Sequence, residues 1–490
     1  MKFLALLLVL ALPAAATNVI FMMADDLGYM DTGFNNPKTF YDTPNLNSLA
    51  KQGLRFTDAY AACPVCSPTR SSVLTGQYPA RTKNTDYFGG PNGYQELPAD
   101  AATALGDAGK MGKRPLLPAP YLARLAASHT TIAEAFKAKG YVTMHAGKWH
   151  LGPKGSWPED HGFDVNAGGT DAGGPYGGKH YFSPYNNPRL PDGPDGESLP
   201  DRLATEVSKF ITANKDKPFF VYFPFYSVHT PLGAPAELVK KYEEKRTKLG
   251  LKAVFAPDYP RDVRQVQEHA VYAGMVEEMD RAVGKVMKTL DDLALADDTI
   301  VVFFSDNGGL SSSEGSPTSN LPYRGGKGWM YEGGIREPLI VRWPKTIKPG
   351  GTCTAPVIST DFYPTFLQAC GLDLLPEQHK DGTSFLDLLK DPQAKHERAP
   401  LFWHYPHWGN QGGIPSSAVR DGDFKLIEFY WKKGFELYDL SKDPGEHHNL
   451  AAAMPEKVAA LKTKLEAFKK DTGAFLPRIN AKADPAFDKW

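Results

Sequence analysis

Short apolar segments that alternate with helical patterns are the feature that most constrains the fold of this chain. Four of them, at residues 18–23, 141–145, 219–225 and 299–305, are rich in Val, Ile, Phe or Tyr and nearly free of charge. Strands that are buried on both faces of a sheet have this composition. Because helical patterns separate the segments, we predict an α/β fold with a mostly parallel sheet flanked by helices.

Helix signals and loop-forming segments fill the regions between the predicted strands. Thr131 and Glu134 have the spacing of a capping box. The longest helical pattern covers 266–293, and its apolar residues are predicted to face the core. Segments 85–125 and 157–200 are rich in Gly, Pro, Asp and Asn, so we predict long loops over one face, where binding functions often lie.

The pattern changes after Gly371, where shorter strand-like runs precede one amphipathic helix at 456–469. The runs are 400–403, 424–429 and 435–440. They predict a small antiparallel sheet with a C-terminal helix. We therefore divide the chain into a large domain over 17–375 and a smaller C-terminal domain over 376–490.

The first 16 residues have the parts of a secretory signal peptide in order: one Lys, an apolar run over 3–12 and small residues at 14–16. A buried first strand is the alternative interpretation. We expect cleavage near residue 16 and an exported protein, either periplasmic or secreted.

Four cysteines in 490 residues are too few for a disulfide scaffold, and the pairing of Cys353 with Cys370 is left open.

The charges of the chain nearly cancel, with 55 Lys and Arg against 56 Asp and Glu. Such a chain has no overall basic field for nucleic acid or for an anionic membrane. We therefore expect neither as a partner. An anionic ligand would have to be bound by local charges.

Polar residues follow each of the four predicted strands. They are Asp25 and Asp26, then Lys148 and His150, then His229, then Asp306 and Asn307. A single pair of this kind is more often a solvated turn. The carboxyl ends of parallel strands meet at one edge of a sheet, however, so four polar ends together predict a shared site.

The composition of this predicted site indicates a hard cation and an oxyanion. The candidate metal ligands offer only oxygen, which favours Ca²⁺ or Mg²⁺ over zinc or copper; they are Asp25, Asp26, Asp306 and Asn307. Positive charge and proton donors come from Lys148, His150, His229 and Lys327. Lys327 lies in a Gly-rich stretch that would also suit an ordinary solvated loop.

Cys63 and Cys66 form a C-x-x-C pair, which would suit a redox motif or half of a zinc site. A second pair and a nearby His, which would support those functions, do not accompany it in the sequence. Residues 67–74 can instead open a helix with Pro68 in its first turn. Cys66 would then lie at a helix N-terminus, where backbone N–H groups favour anions.

The stretch Cys66-Ser67-Pro68-Thr69-Arg70, followed by Leu74-Thr75-Gly76, resembles the C-x-P-x-R signature of the type I (formylglycine-dependent) sulfatases. The polar strand ends and Lys327 agree with that family in order. The resemblance is to arylsulfatase-like and N-acetylgalactosamine-sulfatase-like members. It implies an alkaline-phosphatase-like fold, with the catalytic domain over 17–375 and the smaller subdomain after it.

The resemblance also implies a mechanism. A maturation enzyme would oxidise Cys66 to formylglycine, and one hydroxyl of its hydrate would attack sulfur and displace the alcohol. The second hydroxyl would then allow release of sulfate. The resemblance further implies one Ca²⁺, held by the four oxygen ligands, that polarises the sulfate.

The remaining site residues receive roles from the same resemblance. Arg70 and Lys148 would hold the hydrated residue and the sulfate oxygens, and His150 would assist the hydrate. His229, with Lys327 nearby, would protonate the departing alcohol. Two alternatives stay open: a phosphate or phosphonate ester hydrolase of the same fold, and a non-catalytic sulfated-glycan-binding protein in which Cys66 is unmodified.

The substrate prediction depends on an aromatic and histidine-rich stretch at 403–408. We predict that His404, His407 and Arg420 contact a carbohydrate sulfate, with a galactose or N-acetylgalactosamine sulfate favoured. Aromatic faces suit sugar rings, and imidazoles suit hydroxyl groups. The alternative is that Trp403 and Trp408 pack at the domain junction.

Overall fold

The computed structural model describes residues 16–88, 113–432, 434–484 and 487. Its strands are β1 (Asn18–Ala24), β2 (Leu54–Phe56), β3 (Ala59–Tyr60), β4 (Leu116–Leu117), β5 (Val142–Ala146), β6 (Val165–Ala167), β7 (Phe219–Pro224), β8 (Phe255–Asp258), β9 (Arg261–Arg264), β10 (Thr299–Ser305), β11 (Leu339–Arg342), β12 (Gly351–Cys353), β13 (Val357–Ile358), β14 (Leu401–Tyr405), β15 (Ser416–Asp421), β16 (Phe424–Phe429), β17 (Gly434–Asp439) and β18 (Arg478–Ile479). The α-helices are Pro44–Gln52, Cys66–Thr75, Pro79–Thr82, Ile132–Lys137, Leu199–Ala213, Ala236–Leu249, Ala270–Asp292, Glu332–Ile335, Phe362–Ala369, Leu386–Lys390 and Pro455–Thr472. Short 3-10 helices cover Tyr29–Asp31, Pro158–His161, Ala296–Asp298 and Ser359–Asp361.

A central sheet of eight strands runs in the order β12-β2-β11-β10-β1-β7-β5-β6. Strands β10, β1, β7, β5 and β6 pair in parallel, and β11 is antiparallel to both of its neighbours. The four strands that the sequence predicts are β1, β5, β7 and β10, which lie side by side at the centre. The predicted α/β class, with a mostly parallel sheet, is confirmed.

Helices cover both faces of this sheet, as the sequence predicts. One face packs against Leu199–Ala213 and Ala270–Asp292, and the other packs against Phe362–Ala369. The capping box also forms, since Thr131 Oγ1 accepts from the Glu134 N–H at 3.2 Å and Glu134 Oε2 accepts from the Thr131 N–H at 2.6 Å. The helices thus bury both faces of β1 and β10.

A second, antiparallel sheet in the order β14-β15-β16-β17 follows, with helix Pro455–Thr472 packed against it. The predicted small sheet and C-terminal helix are confirmed. Strand β15 is missing from the sequence prediction because its mixture of Ser, Arg and Asp lacks an apolar run. Residues 385–389 still pack in the core of the large sheet, so the chain crosses to the small sheet between 390 and 401.

The predicted signal peptide, the cysteines and the membrane-spanning potential of the helices concern export and redox state. Residues 1–15 of the predicted signal peptide lie outside the described residues. All four cysteines are free thiols, so Cys353 and Cys370 are not bridged. Within the described part of the chain, no helix has the length and apolarity to cross a bilayer.

Candidate active site

Cys66 occupies the first position of helix Cys66–Thr75, at the floor of a cavity of about 410 Å³. Every residue of this helix is buried, and Cys66 is 3% exposed. Its Sγ lies 3.4 Å from His150 Nδ1. The other nitrogen, His150 Nε2, lies 2.7 Å from the carbonyl oxygen of Phe88. A proton on Nε2 therefore leaves Nδ1 free to accept from the group at position 66.

Arg70 lies one helical turn after Cys66 and joins the helix to two strand ends. Its Nε donates to Asp306 Oδ2 at 2.8 Å, and Nη2 lies 2.7 Å from the same oxygen in an ion pair. Its Nη1 donates to the carbonyl oxygen of Lys148 at 2.9 Å. The side chain is completely buried. The guanidinium thus fixes the helix N-terminus against the carboxyl edge of the sheet.

The two carboxylates after β1 are each paired with a lysine, and one of them also accepts from the asparagine after β10. Lys148 Nζ lies 2.6 Å from Asp25 Oδ2, and Lys327 Nζ lies 2.7 Å from Asp26 Oδ2. The Asn307 side-chain amide donates to Asp26 Oδ1 at 2.8 Å. The structure therefore brings the predicted ligands and cations together at one edge of the sheet.

Two oxygens in this group have unused acceptor capacity. Asp25 Oδ1 and Asn307 Oδ1 are buried and have no hydrogen-bond partner among the described residues. Buried oxygens without a donor are costly unless a cation or water satisfies them. Together with the carboxylates of Asp26 and Asp306, they form a donor set of oxygen only, which fits a hard divalent cation.

The pKa values of the two adjacent aspartates differ because their neighbours differ. Burial raises the pKa of Asp25 to about 8, against the opposing charge of Lys148. Burial acts in the same direction on Asp26, but the charges of Lys327 and Lys148 and the hydrogen bond from Lys327 outweigh it and hold its pKa below the ordinary value. A cation beside Asp25 would favour its ionised form.

The histidines of the site are neutral, and the lysines carry its positive charge. Burial, with Lys148 nearby, lowers the pKa of His150 well below its ordinary value. Burial, with Lys327 and Lys148 nearby, does the same for His229. Burial opposes the charge on Lys327, but Asp26 outweighs it and raises the pKa of Lys327 well above its usual range. His229 must therefore gain its proton when an anionic ligand is present if it acts as an acid.

Gly147 allows the end of β5 to approach its neighbour closely. Its φ is +117°, and a Cβ at this position would collide with the carbonyl oxygen of Pro224 at the end of β7. The same carbonyl accepts from the Lys148 N–H at 2.8 Å. The glycine thus places Lys148 and His150 over the sheet edge.

The cavity wall contains residues that the sequence analysis did not single out. They are Tyr87, Phe88, Asp171, Ala172, Gly173, Tyr176, Glu314, Asn410 and Gln411, beside Cys66, His150, His229 and Lys327. Most lie on loops, and none belongs to a recognisable motif. The predicted long loops at 85–125 and 157–200 were the signal that could have located several of them.

The predicted substrate residues lie outside this cavity lining. His404 Nδ1 lies 2.7 Å from Ser417 Oγ, and its Nε2 lies 2.9 Å from the carbonyl oxygen of Phe475, so both nitrogens are used within the small domain. His407 is 1% exposed, and its Nε2 lies 2.9 Å from Thr85 Oγ1. Neither imidazole is presented to a ligand in the cavity.

Arg420 and the two tryptophans stabilise the junction between the domains. Arg420 Nη1 lies 2.8 Å from Asp58 Oδ1 and also contacts the Tyr60 hydroxyl. Trp403 Nε1 donates to the Ala61 carbonyl at 2.8 Å, and Trp408 Nε1 donates to the Leu116 carbonyl at 2.9 Å. The two tryptophans thus lie where the alternative interpretation, packing at the domain junction, places them.

A mostly parallel sheet, with carboxylates and a helix N-terminus at its carboxyl edge, is the architecture of the alkaline-phosphatase-like proteins. The Sulfatase family matches residues 17–372, and the N-sulphoglucosamine sulphohydrolase C-terminal family matches residues 325–471. The chain belongs to the sulfatase family and is a sulfuric ester hydrolase. The family that the C-x-P-x-R stretch predicts is thereby confirmed.

Curated relatives are similar along most of their length. A sulfatase from Formosa agariphila is 32% identical, with 90% of this chain and 85% of that protein aligned. Human arylsulfatase A is 30% identical, with 92% and 87% aligned. Human N-acetylgalactosamine-6-sulfatase is 28% identical, with 91% and 83% aligned.

Solved structures share the whole fold. The crystal structure of Ps i-CgsB has a TM-score of 0.74 at 26% identity and covers 93% of both chains. A complex of Ps i-CgsB with k-i-k-neocarrahexaose is equally similar, with a TM-score of 0.74 at 26% identity over 93% of both chains. A phosphonate monoester hydrolase of Agrobacterium radiobacter has a TM-score of 0.62 at 19% identity over 95% of this chain and 97% of that one, a likeness of fold alone.

Proposed function

We propose that this sulfatase is an exported enzyme that hydrolyses a carbohydrate sulfate with formylglycine at position 66 and one bound Ca²⁺. The observation that carries the proposal is the placement of Cys66. It lies at a helix N-terminus on the cavity floor, in contact with His150 and beside a buried, oxygen-only donor set. A nucleophile there would face an anion held by local positive charge.

The residues of the chain divide the work of the reaction. Lys148 and Lys327 supply the positive charge that binds a sulfate group, since both are buried beside the cavity floor. Arg70 keeps the helix N-terminus and Asp306 in fixed relation. His150 Nδ1 accepts a proton from the group at position 66. His229, which also lines the cavity, receives a proton when the anion binds and delivers it to the alcohol oxygen.

The two absent groups would add chemistry that the unmodified chain lacks. Hydrated formylglycine supplies a nucleophile with a built-in release step, and Ca²⁺ supplies Lewis-acid polarisation of the sulfate. The residues that would hold Ca²⁺ are Asp25, Asp26, Asp306 and Asn307. The unsatisfied oxygens of Asp25 and Asn307 support this assignment.

A carbohydrate substrate is supported by the cavity and by the relatives' names. The cavity volume of about 410 Å³ suits a sugar residue. Tyr176 is 57% exposed and has its ring centroid 6.4 Å from that of His229, so it offers an aromatic face at the mouth. One similar protein is named N-acetylgalactosamine-6-sulfatase, and another, Ps i-CgsB, is solved in complex with k-i-k-neocarrahexaose. We favour a galactose or N-acetylgalactosamine sulfate.

Peptide mass spectrometry tests the nucleophile. Protein coexpressed with a formylglycine-generating enzyme should show the thiol-to-aldehyde mass loss at residue 66, and sulfate release should rise with the converted fraction. Cys66→Ala should lose turnover while keeping the wild-type unfolding transition. Full activity from protein with an intact thiol at residue 66 would contradict the mechanism.

A substrate panel tests the reaction and its alternatives. Galactose and N-acetylgalactosamine monosulfates should release sulfate faster than an aryl sulfate, and a phosphonate monoester should be a poor substrate. Preference for the phosphonate would favour the alternative hydrolase. Binding of the sulfated sugars without turnover by fully converted protein would favour a glycan-binding protein.

Analysis of the mature N-terminus tests export. Protein recovered from the periplasm or medium should begin near residue 17, after removal of the predicted signal peptide. An intact N-terminus on protein retained inside the cell would contradict the proposed location.

A further inference from the structure

Glu314 lies at the cavity mouth and is absent from the mechanism described above. It belongs to the loop that continues from the Asp306-Asn307 strand end, and it lines the same cavity as Cys66 and Lys327. Its φ is +52°, in the left-handed region that non-glycine residues seldom adopt. A backbone in this region persists only where the surrounding structure holds it.

Three donors from two other loops hold the Glu314 carboxylate. Thr230 Oγ1 donates to Oε2 at 3.1 Å. The side-chain amides of Asn410 and Gln411 donate to Oε1 at 2.9 and 3.1 Å. Thr230 follows His229 after β7, and the two amides come from the small domain. An exposed glutamate is thus fixed in one orientation by both domains.

The charges of the cavity change sign between floor and mouth. Lys327 lines the cavity together with Cys66, whereas Asp171 and Glu314 line its wall. Glu314 lines the same cavity as Lys327, so its carboxylate is close enough to interact with an anion bound at the floor. The sulfate group that reacts is attracted to the positive floor. A second anionic group on the same substrate would lie beside the carboxylates and be repelled.

We infer that Glu314 determines substrate specificity: its carboxylate accepts hydrogen bonds from hydroxyls of the sulfated sugar residue and disfavours a second anionic group on that same residue. The inference rests on the proposed function. It narrows the substrate class to sugar residues that carry one sulfate and otherwise neutral substituents.

Glu314→Gln is the direct test, because it removes the charge and retains the side-chain length and one carbonyl oxygen. The assay compares kcat/KM for a galactose monosulfate with that for a galactose disulfate containing the same ester. We expect the variant to shift the ratio of these values by at least about tenfold toward the disulfate. Glu377→Gln, at a side chain that is 94% exposed, is the matched control and should leave the ratio unchanged.

Ionic strength gives a second readout that a purely structural role would not change. Repulsion between the carboxylate and a second sulfate is screened by salt, so wild-type preference for the monosulfate should fall as salt rises. The preference of Glu314→Gln for the monosulfate should change less with salt concentration. The wild-type measurement keeps the inference testable even if the variant fails to fold.

The outcomes separate this inference from the proposed function. Sulfate release from the monosulfate with an unchanged ratio in Glu314→Gln, or with a salt-independent wild-type ratio, would overturn the role of Glu314 alone. No sulfate release from any sugar or aryl sulfate by fully converted enzyme would overturn the proposed function first. A shifted ratio with a flatter salt response would support the inference.

Discussion

At the residue scale, Arg70 is a buried guanidinium on which several parts of the site depend. Its contacts to Asp306 and to the Lys148 carbonyl need the planar fork of arginine, which lysine cannot reproduce. We expect Arg70→Lys to lower kcat/KM at least about 100-fold and the free energy of unfolding by about 3 kcal/mol, because a buried carboxylate loses its partner. Steady-state kinetics and urea unfolding measure both effects.

A matched control separates position from residue type. Arg281 is 51% exposed on helix Ala270–Asp292. Arg281→Lys should change the free energy of unfolding by less than about 0.5 kcal/mol and leave kcat/KM unchanged. Wild-type activity in Arg70→Lys would show that the guanidinium is not needed to organise the site.

Asp86, behind the cavity wall, should make stability depend on pH. Burial raises its pKa from 3.8 to about 7, although the Tyr87 N–H and the Tyr405 hydroxyl donate to it. His407 Nδ1 lies 3.8 Å away but is neutral, because burial lowers its pKa well below the ordinary value. The folded state therefore holds the proton more tightly than the unfolded state, and stability falls as pH rises from 3.8 to about 7.

The isosteric variant Asp86→Asn removes this titration. The difference in free energy of unfolding, variant minus wild type, should be more positive at about pH 8 than at about pH 4. The reason is that the wild type has an ionisable carboxyl at residue 86, whereas the variant has none. Urea unfolding of both proteins at the two pH values gives the comparison. An equal difference at both values would mean that the Asp86 pKa is not raised in the folded protein.

At the element scale, helix Pro44–Gln52 is capped from another helix. Asp280 in helix Ala270–Asp292 accepts from the Asn45 and Leu46 N–H groups at 3.0 and 2.8 Å. Asp280→Ala leaves these first-turn donors unsatisfied, so we expect a loss of about 1–3 kcal/mol in the free energy of unfolding. Asp280→Asn keeps one acceptor and should lose less. Chemical denaturation orders the three proteins, and equal stabilities would contradict the capping role.

The strands that hold the site could be predicted, whereas several short strands at one end of the sheet could not. Strands β1, β7 and β10 are buried on both faces, so their composition alone identifies them. Strands β2 and β12 contain three residues each, too few for a pattern to stand out. Their existence depends on pairing with distant partners, which a local pattern does not record.

The residues of the site also differ in how well the sequence predicts them, depending on whether they lie at the ends of strands and helices or on loops. Cys66, Lys148 and Asp306 follow or open predicted elements, and parallel topology explains why they meet. The mouth residues Tyr176 and Glu314 lie on loops whose course depends on tertiary contacts. The aromatic neighbours of His404 predict a substrate contact, but its side chain lies within the small domain, where it contacts Ser417 and Phe475.

At the scale of the whole molecule, the proposed Ca²⁺ would connect the ends of β1 and β10 at the centre of the sheet. Its removal leaves buried carboxylates with less compensation, so chelation should abolish activity and lower the thermal midpoint. Free Ca²⁺ at about 100-fold above its Kd would contribute about 3 kcal/mol. Calorimetry and sulfate-release assays before and after addition of Ca²⁺ or Mg²⁺ measure both effects. Full activity in metal-free protein would contradict the assignment.

A buried network of charges joins the two domains. Lys425 on β16 is completely buried, and its Nζ lies 3.0 Å from Glu332 Oε1 and 2.9 Å from Glu446 Oε1. Arg336 Nε donates to Glu332 Oε2 at 2.8 Å from the same side. A charged core at the junction fixes the small domain in one orientation. The loop between β14 and β15, which contributes Asn410 and Gln411 to the cavity mouth, is therefore held in place.

That loop has a consequence for how such enzymes diversify. The Gln411 carbonyl accepts from Trp329 Nε1 at 2.8 Å and from Ser312 Oγ at 2.6 Å, while the Asn410 and Gln411 side chains hold Glu314. The floor that performs the reaction belongs to one domain, and much of the mouth depends on the other. Changes in a few residues of the small domain can therefore alter which sulfate ester is accepted while the residues that perform the reaction stay the same.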